Sequence, residues 1–180
     1  MEDNGIILRR LPYSETSYIL SWLTEQHGLI RTLAKGAARP KQAFQGKTDI
    51  FLQGRVCWIP SSRSQLHVLK EVSIEHVNRE LARSYTSLLA ATYFGEVIEL
   101  LAEPQTPIPE IYDLFNKALG YLQEKPASEL LVERFERKLL DILGLNHDEK
   151  SIEQLRRHAY PHQPKTYRQL KEELAKNSAH

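Results

Sequence analysis

The triplet Gly46-Lys47-Thr48 has residue types that could hold a nucleotide phosphate. A phosphate-wrapping loop needs a glycine five positions earlier, so that the chain can wrap, and a helix directly after, whose N-terminal N–H groups hold the anion. Here Lys41 stands at the first-glycine position and the strand-like DIFLQGRVCWI follows. Motif and context both fail, and a nucleotide-hydrolysing site is set aside.

The triplet instead closes a basic stretch. From Ile30 to Phe51 come Arg31, Lys35, Arg39, Lys41 and Lys47, with no acidic residue before Asp49. Over residues 31–70 eight Lys and Arg face that single aspartate, a net +7 within a chain whose formal charge is only +1. A local excess of this size attracts phosphates even when the whole molecule is near neutral. Arg9 and Arg10 end the first apolar segment, where they can lie beside the stretch, and Phe44 sits within it with no obvious core position. The candidate polyanion-contacting residues are therefore Arg9, Arg10, Arg31, Lys35, Arg39, Lys41, Phe44 and Lys47. An aromatic at such a position more often tucks back onto the fold than stacks on a base. Lysines and arginines of a connecting loop are as often simply solvated, and at this point the two readings of the charge stay open.

Other clusters carry less. His158 and His162 have the spacing of two metal ligands on one helix face, but Pro161 between them argues against a helix and no other ligand group accompanies them. Glu96, Glu99 and Glu103 have the spacing of a solvated helix face. The single cysteine, Cys57, excludes an internal disulfide and a cysteine zinc site and reads as a small strand residue. No nucleophile and base pair can be assembled, which weighs against an enzyme and leaves no cofactor or metal to expect. A second basic group, Arg156, Arg157, Lys165, Arg168 and Lys171 with Tyr160 and Tyr167 interleaved, either extends a nucleic-acid footprint or is a solvated terminal segment.

The elements that must position these residues change character along the chain. Residues 1–77 read as strands: Gly5 to Arg10, a turn at Pro12 to Ser14, Ser17 to Thr24 with Tyr18 and Trp22 on one face, a tight turn, and Leu29 to Ala34. After the basic loop come Asp49 to Ile59, with Gly54 as a bulge, and Leu66 to Ile74. Tyr18, Trp22 and Trp58 read as core. Five such strands with short hairpins and one long loop predict a small antiparallel barrel. From residue 78 the period lengthens to that of helices, over Ser84 to Glu103, Pro107 to Glu124 and Ser128 to Leu145, the last stopped by Gly144. After Asn146 the apolar content falls, and Arg156 to His180 reads as a polar, basic terminal segment not assigned to the core, an extended stretch joined to a short helix from Thr166 to Lys176. The fold class is thus α+β with the two parts segregated, a barrel domain over 1–77 and a helical domain over 78–180. No apolar run approaches the length of a bilayer span and the N-terminus places acidic residues before the first apolar segment, so the expected location is the cytoplasm.

Read together, Gly5-Ile6-Ile7-Leu8 into Arg9-Arg10, Tyr13 followed by Glu15, Leu23-Thr24, His27-Gly28 and above all Ala34-Lys35-Gly36-Ala37 before Arg39-Pro40-Lys41 resemble the start of the bacterial RecO family of DNA repair and recombination proteins. The resemblance runs from residue 4 to about 145 and includes Glu133 to Leu145. It implies an N-terminal OB-fold followed by a helical domain. It also implies a nucleoid-associated, non-catalytic mediator that binds single- and double-stranded DNA, anneals complementary strands, and works with RecR and single-strand-binding protein to load RecA. By position, the Lys35 to Lys47 loop belongs to the DNA-binding surface, with Arg31 beside it. Many family members carry a four-cysteine zinc module after the helix that ends here at Gly144; without those cysteines no zinc is expected. The chain stops at His180, ahead of helices that other members carry, and a groove for the tail of single-strand-binding protein is correspondingly in question. The alternative is a protein-protein adaptor that uses the barrel or a helical groove, with DNA binding weak or lost.

Overall fold

The computed structural model describes residues 1–39, 43–145, 148–162 and 166–177. They form two compact units, one of residues 1–77 and 103–112 and one of 78–102 and 113–180.

The first unit is a closed barrel. Its strands are β1 (Glu2–Ser14), β2 (Ser17–Thr24), β3 (Gly28–Ala34), β4 (Leu52–Ile59) and β5 (Leu66–Val77), in the order β1-β2-β3-β5-β4. Neighbours are antiparallel except β3 and β5, which run parallel, since five strands cannot alternate in direction all the way round a closed ring. Alternation sends Leu20 and Trp22 of β2, Ile30 and Ala34 of β3 and Val56 and Trp58 of β4 into one buried core, with Tyr18 packed against it, and a register shift opposite Cys57 and Trp58 brings both Leu69 and Val72 of β5 to the same face. Trp22 meets its one polar need there by donating from Nε1 to Thr32 Oγ1 at 2.9 Å.

Three details depart from or sharpen the sequence reading. β1 extends through the expected turn at Pro12 to Ser14, because a strand that closes a barrel must serve two partners: residues 2–6 pair with β4 and residues 5–14 with β2. Register shifts at Ile7/Arg9 and Pro12/Ser14 bend it, and a bulge is where a strand tolerates proline. Gly54 does lie at a register shift, and a Cβ there would stand 2.0 Å from the Ser73 carbonyl oxygen and 2.9 Å from Ile74 Cα. The connection 103–112 also lies along the barrel: Gln105 N donates to Leu29 O at 3.0 Å, and Gly28, at φ +64°, leaves room where a Cβ would strike Thr106 O at 2.1 Å. The Tyr112 hydroxyl at its end accepts from Gln53 Nε2 at 3.0 Å, and burial raises the pKa of the phenol.

The second unit is helical: a 3₁₀ turn (Arg79–Arg83), α1 (Tyr85–Leu101), α2 (Pro109–Glu124, whose first residues belong to the barrel unit), α3 (Glu129–Ile142), α4 (Glu149–His162) and α5 (Thr166–Asn177). Ser84 and Ser128 cap α1 and α3, each side chain accepting from an N–H three residues on at 3.2 Å. Phe94 of α1 stacks on Phe135 of α3 with ring centroids 3.9 Å apart, and α5 packs along α1.

α4 stands where an extended polar segment was expected ahead of Thr166. Its polar composition hid it, since only Ile152 and Leu155 are buried among its described side chains, and Pro161 falls in its last turn, so the helix before it is uninterrupted. Glu96 also differs from expectation: α1 is buried on nearly every side from Tyr93 to Ile98, so Glu96 is buried and accepts from Thr166 Oγ1 at 2.9 Å.

Candidate nucleic-acid interface

The described candidate cations of the barrel occupy two places. Arg9 and Arg31 both lie opposite Ser21, one from β1 and one from β3, so they stand in one row on the outer face, separated by two strand spacings or about 10 Å. Arg31 is exposed and Arg9 half-buried.

The remaining candidates sit where the β3–β4 loop meets the mouth of the barrel. The loop is tied to the β1–β2 hairpin, with Gly36 N donating to Ser17 Oγ at 3.2 Å and Ala38 N to Thr16 O at 3.0 Å. Lys35 and Arg39 are exposed on this tethered stretch. Lys41 lies outside the described residues. Farther on, Phe44 is only 8% exposed and belongs to the barrel core. Its ring anchors the loop and is not presented for stacking on a base, which corrects its place among the candidate contact residues. Lys47 N donates to Phe44 O in the turn that follows, and its ammonium donates to the Val72 carbonyl at 3.1 Å. That bond draws Lys47 partly into the barrel wall. Thr48 is buried and strand β4 follows shortly, so the Gly46-Lys47-Thr48 triplet lacks the helix that a phosphate-wrapping loop needs.

Arg10 points to the same mouth. Its guanidinium lies over the Tyr18 ring, 5.1 Å from the centroid, and pairs with Asp49. Arg10, Tyr18, Arg39, Gln45, Thr48 and Asp49 line a cavity of about 250 Å³. The sequence did not pair Arg10 with Asp49, although one signal was present: Asp49 is the only acid among residues 31–70.

Of the second basic group, Arg156 and Arg168 are engaged by carboxylates of the helical unit. Arg156 makes two hydrogen bonds to Glu136, Nε to Oε1 at 2.9 Å and an Nη to Oε2 at 2.8 Å, and Tyr93 OH donates to Oε1 at 2.7 Å. Tyr167 packs on both, with ring centroids 5.1 Å from Tyr93 and the Arg156 guanidinium carbon 5.6 Å above its own ring. Burial opposes the charge of Arg156, but the hydrogen bonds and charge of Glu136 outweigh it and hold the guanidinium more firmly protonated than usual. Burial first, and then the Glu136 charge, push the Tyr93 phenol well above its ordinary range. Arg168 pairs with Glu172 at 3.0 Å. The side chains of Arg157, His158, Tyr160, His162 and Lys165 lie outside those described. Among the described residues no group of three His, Cys, Asp or Glu could hold a metal ion, and no helix is long and apolar enough to cross a membrane.

A closed five-stranded barrel followed by a helical unit defines an OB-fold protein with an appended helical domain. The chain matches the family described as Recombination protein O N terminal over residues 1–77 and Recombination protein O C terminal over residues 82–151. It belongs to the RecO family.

Relatives named DNA repair protein RecO agree with this. The protein from Rhodopirellula baltica is 32% identical over 78% of this chain and 52% of its own length. Those from Idiomarina loihiensis and Erwinia tasmaniensis are 30% and 32% identical over 82% and 81% of this chain, and 62% and 58% of theirs. The chain therefore spans about half to three fifths of the length of these relatives.

Proposed function

We propose that this chain is a non-catalytic DNA-binding and strand-annealing protein of DNA repair and homologous recombination, acting in the bacterial cytoplasm at the nucleoid. The observation that carries this reading is the set of cations on one barrel, Arg9 and Arg31 in a row on the wall and Lys35 and Arg39 on a tethered loop, in a chain of the RecO family. The mechanism is charge neutralisation: basic side chains bind the phosphates of two single strands, lower their mutual repulsion and hold them close enough for base pairs to nucleate. Phosphate contacts read no sequence, so little base preference is expected. RecR, single-strand-binding protein and, through them, RecA are the partners the family reading brings.

The test is fluorescence anisotropy with a labelled single-stranded oligonucleotide across a salt series. Four phosphate contacts correspond to a log-log slope of about −3. A slope near zero, or no binding at low salt, refutes the reading.

A second reading, an adaptor that docks RecR, draws on a different feature. Leu11, Ile19, Leu33, Val68 and Ile59 pair in succession across all five strands and form one apolar row on the outer face, with Leu11 46% and Ile59 51% exposed. It predicts capture of RecR at a salt concentration that abolishes DNA binding, and loss of that capture on Leu11→Glu.

A further inference from the structure

The run of cations ends in a carboxylate that neutralises one of them. Asp49 closes the loop and pairs with Arg10 at the barrel mouth, while the Tyr18 ring beneath fixes the guanidinium. Arg39, Gln45 and Thr48 line the same cavity of about 250 Å³, so the pair faces a polar recess with a second cation in its wall. Both partners are open to solvent, Arg10 at 39% and Asp49 at 64%. An exposed pair of this kind contributes at most about 1 kcal/mol. A phosphate oxygen offers the same guanidinium an equivalent charge-assisted bond and is placed to exchange with the carboxylate.

We propose that the barrel-mouth cavity is a phosphate subsite of the DNA track, with Arg10 as its ligand and Asp49 as a built-in competitor that the phosphate displaces. This rests on the DNA-binding reading above. Its consequence concerns affinity. A phosphate that takes Arg10 must first displace the carboxylate, so loss of the Arg10–Asp49 pair offsets part of what the contact contributes. Removing the carboxylate frees the guanidinium for the same contact.

The experiment uses the full chain and a labelled oligothymidine, comparing wild type, Asp49→Asn, Arg10→Gln, the double variant, and Glu71→Gln as an equal change of charge at an exposed site on β5. Melting temperatures confirm that each variant folds. Asp49→Asn is expected to tighten binding about twofold to fivefold near 0.1 M salt, with the effect absent in the Arg10→Gln background. Equal tightening by Glu71→Gln, or a gain that survives without Arg10, overturns the subsite and leaves only general electrostatics. No change in Asp49→Asn while wild type binds overturns the subsite alone. Failure of wild type to bind overturns the DNA-binding reading and this inference with it.

Discussion

Arg156→Met should destabilise the helical unit by about 3 kcal/mol, because it strands Glu136. That carboxylate is 0% exposed and accepts three hydrogen bonds, two from Arg156 and one from Tyr93. Methionine fills the volume of the arginine stem but leaves a buried charge with the tyrosine alone. Breaking a buried pair in this way typically costs about 3 to 5 kcal/mol, and the lower figure applies because the Arg156 side chain is 33% exposed. Glu136→Leu combined with Arg156→Met removes both charges and should recover most of the loss, since the only new orphan is the Tyr93 hydroxyl, worth about 1 to 3 kcal/mol. Adding Tyr93→Phe should recover that too. The assay is urea unfolding followed by circular dichroism, where a loss of 3 kcal/mol lowers the midpoint by about 1 to 3 M. Both tryptophans, Trp22 and Trp58, lie in the barrel core, so fluorescence follows the other unit separately. A loss below about 1 kcal/mol for Arg156→Met, or a double variant as unstable as the sum of its singles, would refute this account of the buried cluster.

Gly54→Ala should destabilise the barrel by about 3 kcal/mol or more, read by the fluorescence midpoint, because the new Cβ meets backbone rather than a movable side chain. Burial lowers the pKa of His67, which accepts from Ser61 N at 3.2 Å, so the unfolded chain binds this proton more readily than the folded one. Its stabilising contribution is therefore present above the ordinary pKa of 6.5 and is lost as the pH falls from there through the folded value. A melting-temperature profile between pH 8 and 5 should show that decline, and His67→Gln should flatten it. Lys35→Glu with Arg39→Glu should weaken DNA binding similarly across sequences and make the salt slope shallower by about 1.4, measured by anisotropy. An unchanged slope would place the contact elsewhere.

The parts of the fold that were legible in the sequence are those where apolar residues repeat at the period of the element and are the ones it packs inward. The alternation of Tyr18, Leu20 and Trp22 against Ile19 and Ser21 fixed β2, and the three-to-four spacing through Phe135 and Leu139 fixed α3. Where burial does not follow that rule, reading by pattern fails. Glu96 carries a surface residue type on a helix that is buried nearly all round, and the described part of α4 has only two apolar side chains, both buried, to mark its face. At the candidate interface, charge and location were legible because Arg31, Lys35 and Arg39 stay exposed. Pairing was not, since Arg10 and Asp49 are 39 positions apart and meet only because β1 and the end of the loop share the barrel mouth.

Closure of the barrel has a consequence for recognition. Each of the five strands is bonded to two neighbours, so among the described residues the backbone left open to an extended peptide is confined to stretches such as Arg9 to Ser14 of β1, which pair with β2 alone. Elsewhere on the barrel wall a partner is read by side chains and loops. Specificity there can therefore shift one substitution at a time, without disturbing the backbone that supports it.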